Sequence, residues 1–154
     1  MKKLLTFLCF ISSFAYATPS PHTAPSQATT PVKWAHLAST DDFDVELSPD
    51  SIQGPDDPHI AKYYKSFTLR IRFKELKDDT SVVDGKKVTV KFNGLIGTYI
   101  INCKDKVVAP VVAGLFLDKK YLKTEEMDAP HWFKLGEGAP STYAEPIVCA
   151  GVTE

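Results

Sequence analysis

The sequence predicts an α+β domain: an antiparallel sheet of about six strands with a C-terminal helix and one disulfide. Three observations carry that prediction. Phe67, Leu69, Ile71 and Phe73 alternate with Ser66, Thr68, Arg70 and Arg72, the period of a strand with one buried and one wet face. The dipeptides Asp84-Gly85 and Asn93-Gly94 each separate β-branched or apolar runs, and both tolerate the positive φ that tight hairpins require. Cys103 and Cys149 are the only cysteines beyond an N-terminal export signal, and an even count in an exported chain reads as a structural disulfide.

The export signal occupies residues 1–17. Met1-Lys2-Lys3 is a basic start, Leu4 to Phe14 is largely apolar, and Ala15-Tyr16-Ala17 supplies the small residues of a cleavage site. The apolar run is too short for a permanent anchor. Cys9 lies within it behind Phe7 and Leu8, not behind the small residues of a lipoprotein signal, and is expected to leave with the signal. Residues 18–32 hold four prolines in a Ser/Thr/Ala background and read as a disordered spacer. The folded domain is placed at 33–154. Loss of Lys2 and Lys3 leaves 16 basic against 19 acidic residues, which gives no electrostatic case for nucleic acid or anionic lipid. The exported product is expected in the periplasm, secreted, or associated with the cell surface.

The elements follow in order. Trp34, His36 and Leu37 begin a short strand, and Phe43 to Leu47 alternates apolar with acidic residues as a second. Ser48-Pro49-Asp50-Ser51-Ile52 reads as a turn, with Asp50 capping it, and a loop runs on to Pro58. The Ser66–Phe73 strand comes next. Asp84-Gly85 then predicts one hairpin, and Asn93-Gly94 a second in which Lys87–Phe92 pairs with Leu95–Cys103. Val107 to Leu117 is another strand, with Pro110 marking a bulge or an edge. Residues 119–128 read as a charged loop or frayed helical turn. Ala129 to Phe133 reads as extended, with Trp132 and Phe133 as a buried aromatic pair. Thr142 to Glu145 fits a capping box opening a helix over residues 142–150, with Pro146 in its first turn. Cys149 would staple that helix to the strand bearing Cys103, closing a loop of about 46 residues.

Few residues invite chemistry. His22, His36, His59 and His131 are scattered and repeat no zinc spacing, and no cofactor or metal is expected. Asp41, Asp42, Asp44, Asp50, Asp56 and Asp57 are dense but lack the spacing of a calcium loop. There is no nucleophile elbow and no glycine-rich phosphate loop, so no catalytic residue is assigned. Tyr63-Tyr64 is the exception among the aromatics: neighbours on a strand face opposite ways, so one ring is expected to be exposed as an interaction surface.

Trp34, Asp50-Ser51-Ile52, Tyr99, Asn102-Cys103 and Ile147-Val148-Cys149-Ala150 together resemble the surface-adhesin protein E family, over most of residues 33–151. The resemblance implies an antiparallel sheet closed by a disulfide-held C-terminal helix. It also implies a non-enzymatic Gram-negative adhesin that binds host matrix and serum proteins and can form a homodimer. Two departures stand out: no lipoprotein cysteine at the signal cut, and only Lys104 and Lys106 as cations between Gly94 and Phe116. The expected function is an exported protein-binding domain that recognises a host or envelope protein. The alternatives are a structural or assembly component of the envelope, or a small envelope enzyme using loop carboxylates such as Asp50 or Asp56.

Overall fold

The computed structural model describes residues 31–136 and 138–152. The expected signal peptide at 1–17, with Cys9, and the expected spacer up to residue 30, with His22, lie outside the described residues. Six strands run antiparallel in sequence order: β1 (Ala35–Ser39), β2 (Phe43–Gln53), β3 (Tyr64–Val83), β4 (Lys86–Asn102), β5 (Val107–Leu117) and β6 (Lys120–Glu126). A two-residue β7 (Phe133–Lys134) adds to the start of β5. Helical structure among the described residues is limited to α1 (Pro58–Ala61), a 3₁₀ turn at Pro140–Tyr143 and α2 (Glu145–Val148). The fold is therefore mainly sheet.

The alternation read from the sequence sets the core. Phe43, Val45 and Leu47 of β2 pair with Phe73, Ile71 and Leu69 of β3. Leu69 and Ile71 in turn pair with Gly97 and Leu95 of β4. Val45, Leu47, Phe67, Leu69 and Ile101 are completely buried. Phe67 stacks on Tyr99 at 5.7 Å, and burial pushes the Tyr99 phenol up to about 12. Gly97 makes room for that ring, since a Cβ there would lie 3.1 Å from Tyr99 Cε2.

The C-terminal segment closes this face. Ala144 and Val148 join the core, and the Tyr143 ring meets Phe43 edge-on at 6.2 Å. Cys103 and Cys149 are bonded, with Cα atoms 5.6 Å apart. Lys106, in the turn after Cys103, pairs with Glu145. The expected capping box does not form: Thr142 Oγ1 donates to the Gly136 carbonyl at 2.7 Å, so α2 starts only at Glu145. Pro146 sits in its first turn as expected.

Other expectations need correction. Ser48–Ile52 is no turn. β2 continues through it with a break in register, because the Ser51 hydroxyl donates to the Ser48 carbonyl at 2.6 Å and accepts from the Thr68 amide at 2.8 Å. Asp50 is exposed in that stretch and not a turn cap. Residues 120–126 form β6, where Lys123 meets both Asp79 and Glu125. Trp132 and Phe133 are exposed, at 41% and 51%, and are not the buried pair expected.

The two hairpin dipeptides part company. Asp84 and Gly85 adopt φ of 50° and 73° and form the two-residue turn between β3 and β4. Asn93 and Gly94 have no positive φ and lie inside the continuous β4. Asn93 Nδ2 donates to Asp118 Oδ1 at 2.9 Å, and its Oδ1 accepts from the Asp118 amide at 2.7 Å. Asp118, with φ of 54°, opens the two-residue link from β5 to β6. The side chain expected to make its own turn therefore holds a neighbouring one.

Candidate interaction surface

The β4–β5 turn positions the tyrosine pair. Asn102 is buried, and its Oδ1 accepts from the amides of Lys104 and Asp105 at 3.0 and 3.1 Å. Its Nδ2 donates to Asp105 Oδ2 at 2.6 Å and to the Tyr64 hydroxyl at 3.1 Å. The Cys103 amide donates to the Tyr63 carbonyl at 2.8 Å. One fully bonded amide thus fixes both the turn bearing Cys103 and the ring of Tyr64.

Tyr63 and Tyr64 are both half-buried, so neither ring stands clear in solvent. The ammonium groups of Lys62 and Lys104 lie 5.1 and 5.5 Å from the Tyr63 ring centre, within cation–π range. Tyr64 meets Trp132 edge-on at 6.1 Å, and it is Trp132 that presents the exposed ring. His131 packs on Phe133 at 4.8 Å. The sequence contains these aromatics, but nothing local in it brings residue 132 to residue 64.

Tyr64 also borders a cleft of about 310 Å³ lined by Pro55, Ile60, Lys65, Ser66 and Ile100. Ile60 of that lining belongs to α1, which Asp57 caps by accepting from the His59 amide at 2.9 Å. A second cleft of about 300 Å³ lies farther along β3 and β4, with Arg70, Arg72, Ile96, Phe116, Asp118 and Lys119 in its lining. Beside it, Arg70 forks onto Glu46 through Nε at 2.6 Å and Nη2 at 2.9 Å, and Arg72 Nη2 reaches the same carboxylate at 2.8 Å. The Arg70 hydrogen bond is the largest influence on Glu46; with Arg72 it outweighs burial and holds the carboxyl down at about 2. Trp34 packs on the Arg70 guanidinium at 4.6 Å. The alternation of Glu46, Arg70 and Arg72 on wet faces was the signal for this clamp in the sequence.

Among the described residues no group of three His, Cys, Asp or Glu side chains is placed to hold a metal. Asp44 is engaged by Ser39 and Lys74. Asp50 and Asp56 are exposed and line neither cleft. No described helix is long and apolar enough to cross a membrane.

An antiparallel sheet in sequence order, closed on one face by a disulfide-held C-terminal segment, defines a small stapled β-sheet domain. No protein-family model matches the chain, and no curated protein matches it in sequence. Among solved structures it is similar to Haemophilus influenzae protein E in crystal form II. That match is 15% identical, covers 84% of this chain and 95% of that one, and has a TM-score of 0.50. A further structure of Haemophilus influenzae protein E matches at 14% identity over 84% of this chain and 92% of that one, with a TM-score of 0.49. The chain has a protein E-like fold.

Proposed function

We propose that this chain is a non-enzymatic, exported protein-binding domain of adhesin-like character. It engages its partner, a host extracellular or envelope protein, through the surface around Tyr63, Tyr64 and Trp132. The observation that carries this reading is the cluster itself: an exposed Trp132 against Tyr64, and Tyr63 flanked by two lysines. Tryptophan and tyrosine are among the residues that most often dominate protein interfaces. The resemblance of its cysteine contexts to the surface-adhesin protein E family supports the reading, although a fold alone does not assign a function.

The test uses residues 18–154 and immobilised matrix and serum proteins, with envelope extract as a second source of partners. Tyr63→Ala combined with Trp132→Ala should weaken capture about tenfold, in line with loss of interface anchors, while the melting temperature stays close to the parent. A partner retained at full strength by the double variant would refute the assignment of this surface. Absence of any partner from both sources would refute the function. Surface proteolysis of producing cells separates host from envelope partners, since a periplasmic protein is protected.

A further inference from the structure

The two clefts share one seam. Ser66 pairs with Ile100 beside the first and Arg70 pairs with Ile96 beside the second. They therefore stand four residues apart on the same face of the same two strands, a separation of about 13 Å at strand rise. Thr68 and Thr98 lie between them with hydroxyls 3.3 Å apart. Cations dominate the linings: Lys65 at the first, and Arg70, Arg72 and Lys119 at the second, against the single carboxylate of Asp118. Asp118 keeps its charge while bonded to Asn93, and Glu46 and Asp44 lie across from Arg70 and Arg72. The strip thus keeps a small excess of positive charge carried by Lys65 and Lys119, which are in no salt bridge among the described residues. The Arg72 side chain is 60% exposed.

We infer that this seam is a docking strip for an extended, acidic segment of a partner protein. Apolar side chains at positions i and i+4 of that segment fill the two clefts, and its carboxylates meet Lys65, Arg72 and Lys119. An extended chain places i and i+4 on one side at about 13 Å. A helix rises only about 1.5 Å per residue and would need i and i+8. Residues 18–32 of this chain contain neither Asp nor Glu, so charge complementarity points to another molecule as the occupant. The inference rests on the protein-binding reading above and specifies the chemistry of the partner.

Fluorescein-labelled peptides test it by anisotropy against residues 18–154. The probe carries two leucines four apart in a glutamate and threonine background. The controls set the leucines three or eight apart, or replace glutamate by lysine. The four-apart acidic peptide should bind at least about tenfold tighter than every control. Its affinity should fall as ionic strength rises from about 0.01 to 0.15 M. Arg72→Gln with Lys119→Gln, both at exposed positions, should weaken it about tenfold, with only the small loss of melting temperature that breaking the exposed Arg72–Glu46 pair brings. Equal binding of all spacings, indifference to the double variant, or no binding at all would overturn the inference. Preference for the eight-apart peptide would replace the extended occupant by a helix and overturn it too. Self-association abolished by the same double variant would make a second copy the occupant, and the inference would fall in that case as well. Capture that depends on Tyr63 and Trp132 would leave the proposed function standing in each of these cases.

Discussion

Replacing Cys103 and Cys149 together by alanine should lower the unfolding free energy by about 4 kcal/mol. The bridge spans a sequence separation of 46 residues, and loop-closure entropy for that length comes to about 4 kcal/mol at 25 °C. Alanine is the replacement of choice because Cys103 is only 4% exposed, and a serine hydroxyl buried there would add its own penalty. The damage should begin at the C-terminal segment. α2 has four residues, well below the length at which a helix persists alone, so Ala144 and Val148 depend on the bridge to stay over the sheet. Urea unfolding followed by far-UV circular dichroism reads the total. With a slope of about 1–3 kcal/mol per molar, the midpoint should drop by more than about 1 M. Hydrogen exchange reads the order, with the Val148 and Cys149 amides losing protection before that of Leu69. A loss below about 1 kcal/mol, or uniform loss of protection across the sheet, would falsify the view that the bridge holds the closing segment.

Three further substitutions probe the sheet. Glu46 titrates near 2 instead of 4.5 because Arg70 and Arg72 hold its charged form. Its stabilisation is therefore complete above about pH 4.5 and is lost as pH falls toward 2. It amounts to about 1–2 kcal/mol after screening at the exposed Arg72, and urea titrations of Glu46→Gln across that window should show a flatter acid limb. Asn93→Ala removes both hydrogen bonds to Asp118 and should cost about 1–2 kcal/mol in chemical denaturation. Amide protection of the Asp84-Gly85 hairpin should be unchanged. Gly97→Ala places a Cβ 3.1 Å from both Leu95 Cδ2 and Tyr99 Cε2. It should cost about 1–3 kcal/mol and bring the Tyr99 phenol down from about 12 toward 10 in a spectrophotometric titration.

What the sequence revealed was whatever had a local cause. The β3 alternation names the buried face because each residue reports its own side of the pleat. Asp84-Gly85 makes its turn because its flanks are free to pair with each other. Asn93-Gly94 carries the same local signal and fails, since its amide is satisfied by Asp118, 25 residues away. β6 was hidden for a related reason: as an edge strand facing water it is rich in charge, and its identity depends on β5. The candidate surface divides in the same way. Tyr63-Tyr64 was visible as a pair, whereas the exposed Trp132 beside it, the Lys104 that flanks it and the second cleft all require pairing across distant strands. The disulfide was legible because assigning Cys9 to the expected export signal leaves Cys103 and Cys149 to meet.

The closure of the core by Ala144, Val148 and the Cys149 bridge also sets a timetable. These residues are synthesised after every strand, and they cross a translocation channel last if the chain is exported as proposed. Until they emerge, the sheet presents Phe43, Leu47 and Phe67 on an open face, and Cys103 waits as a thiol with no partner of its own. The nascent domain is thus at its most adhesive to chaperones, and its lone thiol at its most exposed to oxidants, just before completion. The final turn is the last element that can cover that face, and it is the one that brings Cys103 its partner.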